Sequence, residues 1–143
     1  MIAIVADMAE RQHDKAIKVI ARILIIDDDA PMRHMLRQAL ERVGYEVLES
    51  PNGRVGMQLQ RTTAADIIIT DIFMPEHEGL ETIRELRRDF PTTKIIAMSG
   101  GGQLGNFNFL AIAERLGAQR VLQKPFGLRE MLEAVQELLH SEG

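Results

Sequence analysis

Ile23-Leu24-Ile25-Ile26-Asp27-Asp28-Asp29 is the stretch whose reading decides the fold. Four consecutive aliphatic residues leave no polar face, so a strand made from them must be covered on both sides. That is the situation of a central strand in a parallel sheet flanked by helices. The run stops abruptly at three aspartates, residues suited to turns and helix caps.

Outward from it, the same alternation repeats. Asp29 is placed to cap a helix with Pro31 in its first turn, and Met32, Met35, Leu36, Ala39, Leu40 and Val43 recur at helical spacing until Gly44 ends it. Tyr45-Glu46-Val47-Leu48 reads as a second, shorter strand, and a weaker helix follows from Gly53 to Gln60. Ile67-Ile68-Ile69 is a third strand that runs into Thr70-Asp71. Leu80, Ile83 and Leu86 form the stripe of a helix that Pro91 closes. Lys94–Met98 is a fourth strand, followed by Ser99-Gly100-Gly101-Gly102. Leu110–Leu116 is a helix ended by Gly117, Arg120–Gln123 a fifth strand, and Leu128–His140 the last helix. Five strand-then-helix units imply a mainly parallel α/β sheet with helices on both faces.

Open sheets of this kind bind ligands beyond the carboxyl ends of their strands. Asp27, Asp28 and Asp29 follow the first strand, Asp71 ends the third, Ser99 follows the fourth and Lys124-Pro125 follow the fifth. Carboxylates brought together on one edge must share a cation or take up protons. Oxygen-only ligands favour a hard ion, and Mg2+ is the usual one where phosphate is handled. A carboxylate can act as nucleophile toward phosphorus, and a lysine and a metal can neutralise the charge on the transferring group. Each residue alone has a plainer reading: a solvated aspartate, a turn serine, a surface lysine. His34 and His140 fall on helices and read as solvated, and His77 carries no clear role. The methionines fall mostly at apolar helical positions and read as core filler.

Composition excludes other classes. The chain has 143 residues, one domain's worth, with 45% hydrophobic and 27% charged residues. A net charge of −4 argues against nucleic acid as a partner, because binding phosphates needs a cationic face. With no cysteine there are no disulfides or thiolate metal sites, which fits the cytoplasm. No apolar run approaches the roughly 20 residues that span a bilayer, and Asp7 and Glu10 interrupt any signal sequence, so no membrane contact is expected.

Taken together and in order, Ile-Leu-Ile-Ile-Asp-Asp-Asp (23–29), Asp-Ile-Ile-Ile-Thr-Asp-Ile-Phe-Met-Pro (66–75) with Gly79, Ile-Ile-Ala-Met-Ser-Gly (95–100), Leu-Gly-Ala (116–118) and Gln-Lys-Pro-Phe (123–126) resemble the receiver domain of two-component response regulators. The likeness covers about four-fifths of the chain, Arg22 to His140. It implies a flavodoxin-like five-stranded parallel sheet of order 2-1-3-4-5 with five helices on both faces. It also implies that Asp71 accepts a phosphoryl group from a sensor histidine kinase or a histidine phosphotransfer protein. Asp28 and Asp71 would bind Mg2+ directly with the main-chain carbonyl of Phe73, and Asp27 mostly through water. Lys124 would pair with Asp71 and then with its phosphate, Ser99 would move toward the phosphoryl group, and the Lys124–Pro125 bond would be cis.

The sequence departs from the family in two places. An aromatic residue usually stands three positions before the lysine, where this chain has Val121, which offers no ring to move with the hydroxyl residue. The glycine-rich stretch from Gly100 to Phe109 is roughly three residues longer than usual. Its Phe107 and Phe109 either cover the core or replace the missing aromatic switch. Residues 1–21 lie outside the resemblance and are expected to be a disordered or loosely docked extension to a receiver domain at 22–143. Only Ser141-Glu142-Gly143 follow the last helix, so the expected protein is a stand-alone receiver acting through an unknown protein target. The alternatives are a receiver cut from a hybrid kinase or multidomain regulator, and a receiver-like scaffold that takes no phosphate. A haloacid-dehalogenase-type phosphatase needs an acid where Phe73 stands, and a flavodoxin would not place three aspartates against a flavin phosphate.

Overall fold

The computed structural model describes residues 20–72, 79–100 and 109–140. Five parallel strands form one sheet: β1 (Arg22–Ile26), β2 (Glu46–Ser50), β3 (Ile67–Asp71), β4 (Lys94–Ser99) and β5 (Arg120–Gln123), in the order β2-β1-β3-β4-β5. Among the described residues the helices are α1 (Ala30–Val43), α2 (Gly53–Thr62), α3 (Gly79–Asp89), α4 (Phe109–Leu116) and α5 (Leu128–His140). This is the flavodoxin-like arrangement that the resemblance implied.

The aliphatic runs sit where their lack of a polar face demands. Ile23 to Ile26 and Ile67 to Ile69 have no exposed surface. Alternate residues of each strand feed two separate cores. Ile23, Ile25, Ile67, Ile69, Ile96 and Met98 pack with Leu36 and Leu40 of α1 and Met131 and Val135 of α5. Leu24, Ile26, Ile68, Ile95 and Ala97 pack on the other face with Met57 of α2, Ile83 and Leu86 of α3 and Ala113 of α4. Register then fixes which strand ends lie level: Ile26 pairs with Thr70, Asp71 with Met98, and Ser99 with Gln123.

The expected caps are present. Asp29 accepts the Met32 amide at its carboxylate, and Gly44 closes α1 in the left-handed region at φ 107°. The second strand starts one residue later than the sequence suggested and runs on to Ser50. Tyr45 still belongs to the helix terminus, since its N–H is spent on the Leu40 carbonyl at 3.2 Å. α2 continues two residues past Gln60, to Thr62. Ala21, ahead of β1, is buried, and its carbonyl accepts the Glu46 N–H. Residues 1–19, the 73–78 segment with Phe73 and His77, and the 101–108 segment with Phe107 lie outside the described residues. No described helix is long and apolar enough to cross a membrane.

Candidate functional site

Parallel strands deliver their carboxyl ends to one edge, and the order β1-β3-β4-β5 lines up the four ends singled out from sequence. Asp27 follows β1 and is wholly buried; Asp71 ends β3 at 5% exposure; Ser99 ends β4 and is also buried. Asp28 is exposed at the rim. One carboxylate oxygen from each of Asp27, Asp28 and Asp71 falls within 4.8 Å of the others. Lys124, just past β5, reaches back across the edge: its Nζ lies 3.2 Å from Asp27 Oδ2 and 3.5 Å from Asp71 Oδ2. The family role gives Lys124 to Asp71, whereas here its ammonium is shared and sits closer to Asp27. The Lys124 N–H also donates to the Ser99 carbonyl at 2.6 Å, tying the β4 and β5 ends together. The Lys124–Pro125 peptide is cis, as expected.

Close approach of elements makes this edge possible. Gly79 opens α3 against the end of β3, and a Cβ there would collide with the Ile72 Cα and the Asp71 carbonyl. Only glycine lets the helix start so near the Asp71 backbone.

Burial governs the electrostatics. It pushes the Asp27 carboxyl above its ordinary value, against the lowering effects of the Asp29 N–H and Lys124, while Asp28 adds a further upward push. Burial works equally against the Lys124 charge, but Asp71 and Asp27 together outweigh it and hold the ammonium above its usual range. Three carboxylates against one ammonium leave the edge short of positive charge. An all-oxygen, anionic donor set of this kind fits a hard divalent cation. Mg2+ at such a site would polarise a phosphoryl group and neutralise its oxygens.

Asp27 is held at every polar handle. Its N–H donates to the Ser50 carbonyl at 3.0 Å, and its Oδ1 accepts the Asp29 N–H at 3.0 Å. Oδ2 meets Lys124, and its carbonyl accepts Arg33 Nη1 at 2.7 Å. Arg33 and its partner Glu49 were not singled out from sequence. A signal existed: a cation in the first turns of a helix opposes the macrodipole, and α1 has no acid in its first turn to answer it. His34 and His140 are exposed, as read. Val121 is half-buried, packs against the second core and lies opposite Ala97 in the sheet.

The sequence matches the response regulator receiver domain over residues 23–136. Similarity to the chemotaxis protein CheY of Thermotoga maritima is 36% identity over 118 residues, covering 82% of this chain and 96% of that protein. The DNA-binding transcriptional regulator NtrC of Azospirillum brasilense is 38% identical over 121 residues, which is 85% of this chain and 24% of NtrC. A CheY-like response regulator receiver domain protein from Methanospirillum hungatei superposes with a TM-score of 0.77 at 30% identity, covering 84% and 94% of the two chains. A five-stranded doubly wound fold with an acidic carboxyl edge is thus accompanied by family-wide sequence similarity. The chain belongs to the response regulator receiver domain family of two-component signalling. It spans nearly all of some curated relatives and only a quarter of others.

Proposed function

We propose that this receiver domain, residues 22–143, accepts a phosphoryl group on Asp71 and uses the charged state to switch its contacts with other proteins. The observation that carries this reading is the convergence of Asp71 with two further carboxylates within 4.8 Å and with the Lys124 ammonium at 3.5 Å. The donor is a phosphohistidine on a sensor histidine kinase or a histidine phosphotransfer protein. An Asp71 carboxylate oxygen forms the new bond to phosphorus as the phosphorus–nitrogen bond breaks. The bonding pair leaves with the imidazole, whose other ring nitrogen already carries a proton, so the ring ends the step neutral. Lys124 faces the charge that builds on the phosphoryl oxygens, and the Ser99 hydroxyl donates to one of them. Asp28 and Asp71, with the Phe73 carbonyl, are the residues that would hold Mg2+, and Asp27 would act mainly through its water. Asp27 also keeps Lys124 at the edge.

Since relatives include both short chemotaxis proteins and much longer DNA-binding regulators, we assign this domain the switching step alone. The output is then a protein target, and neither nucleic acid nor membrane contact is assigned to it; a cysteine-free acidic domain suits the cytoplasm. Incubation with acetyl phosphate and Mg2+, followed by intact-mass measurement, tests the central claim. One phosphate adduct is expected in the wild type and none in Asp71→Asn. No adduct in the wild type would favour a receiver-like scaffold that binds partners without phosphate.

A further inference from the structure

The β1–α1 loop carries two of the three clustered carboxylates, yet Asp28 at its tip is exposed. Its direction therefore depends on the backbone beneath it, and that backbone is gripped from α1 by the Arg33 side chain. Arg33 Nη1 donates to the Asp27 carbonyl at 2.7 Å, so the Asp27–Asp28 peptide plane is fixed from the α1 side. The other edge of the same guanidinium is spoken for: Arg33 Nε donates to Glu49 Oε1 at 3.0 Å, and both side chains are only 14% exposed. Glu49 stands on β2 and is itself braced by Arg37, whose Nη1 donates to Oε2 at 2.9 Å. A planar fork held at both ends is a stiff link, which a flexible single-point cation cannot imitate.

We propose that Arg33, held by Glu49, is a positioning residue for the Mg2+ site, orienting the Asp27–Asp28 peptide so that both carboxylates face Asp71. This rests on reading the acidic edge as a Mg2+ site. Partners that orient ligands without touching the metal typically set affinity by 10–100-fold. A simple charge effect has the opposite sign: Arg33 is a cation near a cation site, so its removal should tighten Mg2+ binding if charge alone mattered.

The test is Mg2+ titration of the full chain by isothermal calorimetry, with circular dichroism to verify folding. Arg33→Ala is expected to weaken Mg2+ binding about 10-fold. Arg37→Ala loosens the same Glu49 without touching Asp27, and is expected to weaken Mg2+ binding less than Arg33→Ala does. Arg33→Lys can keep the carbonyl or the carboxylate contact but not both, and is expected to fall between Arg33→Ala and the wild type. Unchanged or tighter binding in Arg33→Ala, or equal losses in Arg33→Ala and Arg37→Ala, would overturn the proposal. If Arg33→Ala does not fold, wild-type affinity in Arg33→Lys overturns it instead. Absence of Mg2+ binding in the wild type would overturn the metal reading itself, an outcome distinct from all of these.

Discussion

Glu49 is a carboxylate with most of its surface taken out of water and two guanidiniums in its place. Burial alone would raise its pKa, but the hydrogen bonds from Arg37 and Arg33, with His34 3.7 Å away, more than reverse this and hold it below the ordinary value. A carboxyl whose pKa is lowered by folding stabilises the fold while ionised. That stabilisation is present above the unfolded value near 4.5 and is lost as pH falls through the folded one. Glu49→Gln should therefore cost about 1–2 kcal/mol at pH 7, as for a charge-assisted hydrogen bond. The gap to wild type should close as urea unfolding is repeated at pH values below 4.5; a gap constant with pH would show that the charge contributes nothing. Residues of this kind were hard to read from sequence. Asp27, Asp71 and Lys124 were legible because each follows a strand, and a parallel sheet delivers those strand ends to one edge where the charges must answer one another. Arg33 offered only the weak signal of an unanswered cation near a helix start, Glu49 lies on a partly exposed strand where charge is ordinary, and only tertiary packing brings them together across 16 positions.

Two glycines at element ends serve different purposes, and their replacement separates site from scaffold. Gly44 ends α1 at φ 107° with open space around it, so alanine there meets strain but no collision. Gly79 has the reverse problem: its neighbours are the Ile72 and Asp71 backbones, which cannot step aside without moving the Asp71 carboxylate. Gly44→Ala should cost about 1 kcal/mol and leave the acetyl phosphate adduct rate unchanged. Gly79→Ala should cost about 1–3 kcal/mol and slow adduct formation as well. Equal adduct rates in the two variants, measured by mass spectrometry on folded protein, would count against a role for that close approach in placing Asp71. Element identities were legible throughout, since runs such as Ile67-Ile68-Ile69 and the α5 stripe Met131, Val135, Leu138 carry their periods openly. Boundaries were less so. Tyr45 looks like a strand residue by type, yet its N–H completes the α1 terminus, a choice made by backbone geometry rather than side-chain character.

At the scale of the whole molecule, periodicity predicted a parallel sheet but left its order open, because right-handed crossovers allow several arrangements of five strands. The receiver resemblance supplied the order, and the order makes the site: β1, β3, β4 and β5 are neighbours, so charges from positions 27 to 124 meet at one edge. Two cores seal the faces of the sheet and leave that edge as the place where like charges are held together by the rest of the fold. Such an arrangement links cation binding to global stability, because the unfolded chain disperses the three carboxylates and loses the site. Mg2+ at ten times its dissociation constant should add about 1.4 kcal/mol, roughly 4 °C in the melting temperature of a domain this size. The shift should reverse with chelator and shrink in Asp28→Asn, which removes an exposed carboxylate of the cluster without disturbing either core. Sodium chloride at matched ionic strength separates specific binding from screening, since screening would relieve carboxylate repulsion for any salt. Equal shifts with sodium and magnesium, or an undiminished shift in Asp28→Asn, would mean that the edge gathers negative charge without forming a metal site.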